Sequence, residues 1–259
     1  MIAREEAPGL HLQGLKVVFG GVTAVDGLDL VAPPARLTAL IGPNGAGKTT
    51  TFNACCGLVA PSAGRVILDE EDITDLRPAA RARRGLGRTF QKIELFATLT
   101  VAQNVALGRE AGLAGSRLLA QFRTPRHERK LIRDCVEDAL SVCAIEGLRN
   151  ARAGSLSTGQ RRLVELARVL AGGFRMLLLD EPSSGLDSEE TRAFGELLNH
   201  IVDTTGAGVL LVEHDMSLVM DVSRYIYVLD FGKLIFSGPP TEVVCSDVVQ
   251  KAYLGTEVT

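Results

Sequence analysis

The stretch Gly42-Pro43-Asn44-Gly45-Ala46-Gly47-Lys48-Thr49-Thr50 constrains this chain more than any other part of it. It follows the compact apolar run 37–41 and precedes a segment free of helix breakers up to Gly57. That context predicts a turn between a buried strand and a helix. Gly42-x-x-x-x-Gly47-Lys48-Thr49 fills the phosphate-loop pattern in full. Glycines let such a loop bend until its backbone N–H groups face phosphate oxygens, and the helix N-terminus adds a favourable dipole. Lys48 is then expected at the outer phosphates and the Thr49 hydroxyl on Mg²⁺. A Gly-rich turn can match by chance, but the flanking strand and helix argue against that here.

The remaining pattern places the loop in an α/β chain. Strand signals occupy residues 10–19, 27–32 (closed by Pro33-Pro34) and 65–68, with a turn at 72–75. From about residue 92 to 155 strand-like runs vanish. Helical periodicity covers 101–107 and 129–145, around a looser, glycine-containing and basic stretch at 108–125. Alternation then resumes: helix 161–171, strand 176–179, helix 189–202 and strand 209–212. A hairpin follows over 225–236 through Asp230-Phe231-Gly232, and a last helix starts near Thr241. Strands alternating with helices predict a mainly parallel sheet, here carrying an inserted helical lobe.

Met176-Leu177-Leu178-Leu179-Asp180-Glu181 is the second chemical element. A buried strand delivers a carboxylate to the C-terminal edge of the sheet, where open α/β folds bind ligands. Asp180 is expected to hold the Mg²⁺ and its water, and Glu181 to orient and deprotonate an attacking water. An apolar strand ending in Asp-Glu is weak evidence alone and strong after a phosphate loop. The third element is Leu156-Ser157-Thr158-Gly159-Gln160, followed by Arg161-Arg162. Ser157 can be read simply as the cap of the next helix.

Taken in order, these residues resemble the ATPase subunits of ABC transporters, whose signature is usually Leu-Ser-Gly-Gly-Gln; Thr158 stands for its first glycine. The resemblance covers about residues 10–254. It implies a P-loop NTPase core with a mainly parallel sheet, an N-terminal antiparallel β-subdomain and an inserted α-helical subdomain at about 92–157. All would form a single ATP-binding domain, with residues 1–9 as a tail. Further site residues carry over one by one. Gln91, in Arg88-Thr89-Phe90-Gln91, resembles the glutamine that contacts Mg²⁺ and water. Ser184-Gly185-Leu186-Asp187 is similar to the loop that signals across a dimer. His214 matches the switch histidine at the γ-phosphate, and Phe19 sits where an aromatic ring stacks on adenine. The resemblance further implies that Ser157, Gly159 and Gln160 complete the nucleotide site of a second ATPase subunit, so that ATP is held only between a pair.

Several strings are similar to the subfamily that energises branched-chain amino-acid import, specifically the larger of its two ATPases. They are Phe19-Gly20-Gly21-Val22-x-Ala24-Val25, Gly87-Arg88-Thr89-Phe90-Gln91, Glu213-His214-Asp215-Met216 and Lys251-Ala252-Tyr253-Leu254-Gly255. The implied partners are two transmembrane permease subunits, a second ATPase subunit and an extracytoplasmic solute-binding protein. Leu95 and Phe96 are expected in the groove that grips a permease helix. Urea or amide importers and a lipopolysaccharide-type exporter use similar subunits, and a soluble ABC ATPase acting on nucleic acid is a remoter relative.

Bulk properties narrow these options. The formal charge of -3 supplies no general drive toward nucleic acid. No apolar stretch approaches the ~20 residues that span a bilayer, and the N-terminus lacks a signal-peptide core. The expectation is therefore a chain that stays in the cytoplasm, and the resemblance implies that partner proteins hold it peripherally on the cytoplasmic face of the cell membrane. The arginines at 77, 81, 83, 84 and 88 alternate with alanines and read as a solvated helix face rather than a phosphate patch. Cys55, Cys56, Cys135, Cys143 and Cys245 have neither CxxC nor metal-like spacing; Cys55 and Cys56 read as small buried thiols.

Overall fold

The computed structural model describes residues 8–114 and 126–254. The tail call therefore lies largely outside the described residues, as do part of the loose stretch at 108–125 and Gly255. Six strands form the central sheet. In spatial order they are β10 (Lys233–Gly238), β9 (Tyr225–Asp230), β3 (Leu37–Ile41), β8 (Gly208–Val212), β7 (Met176–Asp180) and β6 (Leu86–Arg88). All neighbours run parallel except β9 and β10, the predicted hairpin. Its two-residue loop has φ of 43° at Phe231 and 78° at Gly232, the left-handed pair that suits a tight antiparallel turn. A second, antiparallel sheet has the order β2 (Val22–Ala32), β1 (Leu10–Phe19), β4 (Ala63–Leu68), β5 (Glu71–Asp72).

Strands β3, β7 and β8 are buried at every position, which is why they appear in the sequence as unbroken apolar runs. Their side chains alternate between faces. Leu177, Leu179, Val209 and Leu211 join one core with α5 (Thr158–Ala171), α6 (Ser188–Thr205) and the inserted lobe. Leu40, Leu178, Leu210 and Val212 join another with the antiparallel sheet and α1 (Lys48–Cys55). The lobe is built from α3 (Val101–Ala114) and α4 (Arg126–Val142) against α5. Among the described residues no helix is long and apolar enough to cross a membrane.

The structure corrects three sequence readings. Strand β2 begins at Val22, five residues before the predicted 27. Helix α3 does not stop at 107 but continues through Gly108 to Ala114. That glycine is a point of close approach: a Cβ there would lie 1.8 Å from the Arg168 carbonyl oxygen on α5. The arginine run is a solvated face only in part: Arg77 and Arg83 are exposed, but Arg81 and Arg88 are not. Arg81, in α2 (Pro78–Arg83), is 2% exposed. Its guanidinium donates to the carbonyls of Ala54 and Cys55 (2.7 Å each), Thr74 (2.6 Å) and Leu76 (2.9 Å). A charged fork can be buried when every edge finds a carbonyl, and here it closes the C-terminal end of α1. The side chain of Arg88 is largely withdrawn from solvent as well.

Candidate nucleotide site

Four adjacent parallel strands each end in one part of the site. After β3 comes the loop 42–47, which leads into α1. Gly42 has φ 151°, and a Cβ on it would sit 2.1 Å from the Leu229 carbonyl oxygen; Gly47, at φ 102°, would place one 2.4 Å from that of Ala24. Only glycine fits either position. Gly47 caps α1 without any side-chain hydrogen bond to the first turn, so the orphan N–H groups of that turn are left for a ligand. Asn44, Gly45 and Thr49 are exposed, and Pro43 and Ala46 are buried beneath them. Lys48 folds back under the loop, donating from Nζ to the carbonyls of Gly42 (2.7 Å) and Pro43 (3.0 Å). Burial pulls its ammonium below the ordinary value, and the Glu181 and Asp180 carboxylates oppose that shift.

The two acids stand at the end of β7, Asp180 as its last residue and Glu181 just past it. Asp180 is 2% exposed, and burial raises its carboxyl above the usual range despite the neighbouring Arg88. Its Oδ2 accepts from Arg88 Nη2 at 2.8 Å. Its Oδ1 is buried with no hydrogen-bond partner. An orphaned carboxylate oxygen is costly, and a hard cation takes such an oxygen as a ligand. The donor set therefore fits Mg²⁺.

Glu181 adopts φ 49°, a left-handed conformation uncommon for a side chain of this size and typical of functional sites. It is held there by Val212, whose carbonyl accepts from the Glu181 N–H at 2.8 Å. Its side chain lies between the other two sequence candidates: Gln91 Nε2 donates to Oε2 at 2.7 Å, and His214 Nε2 lies 2.6 Å from Oε1. Gln91 follows β6 and His214 follows β8, so the sheet edge brings together residues 90 and 33 positions away from Glu181. His214 bonds the carboxylate directly, so the arrangement orients Glu181 at the sheet edge, where it can take a proton from a water beside phosphate held at the loop.

The remaining candidates lie apart from this cluster. Ser157 caps α5 in a complete capping box: its Oγ accepts from the Gln160 N–H at 3.2 Å and Gln160 Oε1 accepts from the Ser157 N–H at 3.1 Å. Ser157 and Thr158 are exposed. Gly159 faces α6, where a Cβ would meet Glu190 Oε1 at 2.6 Å. Phe19 ends β1 and is 49% exposed. Phe96 is exposed and lines an apolar groove of about 370 Å³ between the sheet and the lobe, whereas Leu95 turns inward to the lobe's core. The cysteines are all free; burial pushes the Cys55 thiol well above its ordinary value and raises that of Cys56.

Sequence reasoning missed three contributors. Arg88 pairs with Asp180, and Thr89 Oγ1 accepts from the Asp180 N–H at 3.3 Å. Arg162, buried on α5, donates to the carbonyls of Gln91 (3.0 Å) and Ser184 (3.4 Å). It thereby ties the helix after Ser157 to the segments on both sides of Glu181. The available signal was position: Arg88 and Arg162 each lie within five residues of a motif residue.

Comparisons with known proteins agree with this geometry. The ABC transporter family model matches residues 25–184. The chain is 38% identical to the high-affinity branched-chain amino acid transport ATP-binding protein BraF of Pseudomonas aeruginosa, over 96% of this chain and 98% of the relative. It is 35% identical to LivG, of the same description, from Escherichia coli K12, with the same coverage. It is 34% identical to the lipopolysaccharide export system ATP-binding protein LptB of Escherichia coli K12, again over 96% and 98%. Among solved structures, the ADP conformation of an ATP-binding cassette of an ABC transporter superposes with a TM-score of 0.84 at 27% identity, covering 95% of this chain and 98% of that one. A family model that spans most of the chain, relatives aligned end to end, and a phosphate loop facing Asp180 and Glu181 lead to one conclusion: the chain belongs to the ABC transporter family, as an ATP-binding subunit.

Proposed function

We propose that this chain hydrolyses ATP to drive import of branched-chain amino acids, as one of a pair of ATPase subunits on the cytoplasmic face of the membrane. Two permease subunits and an extracytoplasmic solute-binding protein complete the proposed system. The observation that carries the catalytic part is the convergence of Gln91 and His214 on the two oxygens of Glu181. The full-length similarity to BraF and LivG supports the substrate class, with slightly lower identity to LptB.

In this reading the N–H groups of residues 44–49 cradle the phosphates, and Pro43, which has no N–H, shapes the loop beneath them. Lys48 leaves the Gly42 and Pro43 carbonyls to reach the outer phosphates. Thr50 closes the first turn of α1. Phe19 offers its exposed face to the adenine. Mg²⁺, when bound, neutralises charge developing on the β- and γ-phosphate oxygens; Thr49, Asp180 through Oδ1 and Gln91 through its amide oxygen would hold it. Glu181 accepts a proton from the attacking water, and His214 keeps the carboxylate and the γ-phosphate in register. The exposed N-terminus of α5, with Ser157, Gly159 and Gln160, presents N–H groups and a positive dipole end to the γ-phosphate held by the second subunit. Phe96 forms part of the groove for a permease helix.

The test is uptake of radiolabelled leucine by cells lacking this chain. Uptake should be lost and restored by the wild type, whereas Phe96→Glu should restore ATPase activity without uptake. Normal leucine uptake in the absence of the chain contradicts the assignment.

A further inference from the structure

Arg88 ends β6 at the floor of the site, and it has a fixed geometry. Nη2 donates to Asp180 Oδ2 at 2.8 Å, and Nη1 donates to Asn53 Oδ1, on α1, at 2.7 Å. The guanidinium lies 5.7 Å from the Phe52 ring centre and 5.0 Å from that of Phe90. Its side chain is 8% exposed. Two directional hydrogen bonds and two aromatic neighbours leave the planar group little freedom. One carboxylate oxygen of Asp180 is thereby committed to Arg88, and the other is the orphan.

We propose that Arg88 is a positioning residue: by holding Oδ2 it turns Oδ1 of Asp180 toward the metal, and through Asn53 it keeps that oxygen in register with the phosphate-loop helix. This rests on the reading of Asp180 as a metal ligand. Thr89 Oγ1, which accepts from the Asp180 N–H, fixes the same residue from its backbone side. A carboxylate free to rotate would offer its oxygens to the cation in many orientations, and partners behind metal ligands commonly govern affinity 10- to 100-fold. Arg88 also borders the groove that Phe90 and Phe96 line, so the metal-facing acid and the groove share one rigid group.

The experiment compares the affinity of a fluorescent non-hydrolysable ATP analogue in Mg²⁺ and in EDTA, using the full chain. Arg88→Met should weaken binding in Mg²⁺ about tenfold while binding in EDTA stays within twofold of wild type. Arg88→Lys, which keeps the charge but cannot grip Asn53 and Asp180 together, should recover only part of the loss. Asn53→Ala frees one end of the guanidinium without unpairing the acid; it should weaken Mg²⁺-dependent binding severalfold and carries the test if Arg88→Met does not fold. Parallel losses in both buffers would mean a merely structural role and overturn the proposal, as would unchanged Mg²⁺ binding in Arg88→Met or Asn53→Ala. Asp180→Asn separates the two layers: if it keeps the wild-type Mg²⁺ gain, the reading of Asp180 falls and the proposal falls with it.

Discussion

Glu181, the proposed general base, holds a conformation that its own backbone disfavours. Its φ of 49° costs a side-chain-bearing residue roughly 1–2 kcal/mol. The Val212 carbonyl and the Gln91 and His214 side chains hold it in place. The strain has a measurable sign. Glu181→Ala and Glu181→Gly both lose the two side-chain contacts, but only glycine relieves the backbone. Glycine should therefore be the more stable of the two by about 1 kcal/mol in urea denaturation. An alanine variant more stable than the glycine variant would mean that the residue is not left-handed. At this scale the sequence was informative about type and order and silent about convergence. It named Gln91, Glu181 and His214 but not their common hydrogen bonds, because one sequence carries no distances. It misread Arg81 and Arg88 because an arginine that buries itself against carbonyls has the same composition signal as one in water.

Among the elements, the strands that carry the site were legible because burial on both faces leaves an unbroken apolar run, as in β3, β7 and β8. Strand β6 was missed: three residues with a glycine in the middle give no periodicity to detect. Helix α3 was cut short for a related reason, since Gly108 signals a breaker locally while packing makes it a contact point. A Gly→Ala change inside a helix ordinarily stabilises by about 0.5–1 kcal/mol. Gly108→Ala should instead destabilise by about 2 kcal/mol or more, because the new methyl meets the Arg168 carbonyl on α5. Thermal denaturation reads the sign directly, and a stabilised variant would contradict the packing.

Helix α7 (Met216–Val222), which follows His214, gives a pH-dependent case. Asp215 accepts from the hydroxyl and N–H of Ser217 and from the N–H of Leu218. Those bonds, the Ser217 hydroxyl first, hold its carboxyl below the usual range. Because the folded value is the lower one, its stabilisation is fully present above the unfolded value of about 3.9 and is lost as pH falls through the folded value. Asp215→Ala should cost about 1 kcal/mol, constant from pH 8 to pH 5. The gap to wild type should narrow only below about pH 4. Urea titrations across that range check it; a gap that closes between pH 7 and pH 5 would contradict the cap.

On the scale of the whole molecule, the sheet edge and the inserted lobe carry different parts of the proposed site. The edge gathers the loop 42–49, Asp180, Glu181, Gln91 and His214. The lobe side presents the capped start of α5 outward, with Arg162 joining it to the carbonyls of Gln91 and Ser184. A shift of α5 on contact with a second subunit would be felt at both segments beside Glu181, which is how pairing could set the timing of hydrolysis. This architecture was largely readable from motif order. The coupling through Arg162 was not, since a buried arginine following a signature-like string looks like any other helix arginine.

The proposed hydrolysis depends on Glu181 activating the water. The direct test measures ATP turnover by Glu181→Gln alongside ATP binding and association state in the same sample. The amide preserves size and cannot take a proton, so turnover should fall by about 10²- to 10⁴-fold, with ATP affinity retained and an ATP-bound dimer accumulating. Turnover at the wild-type rate would contradict it.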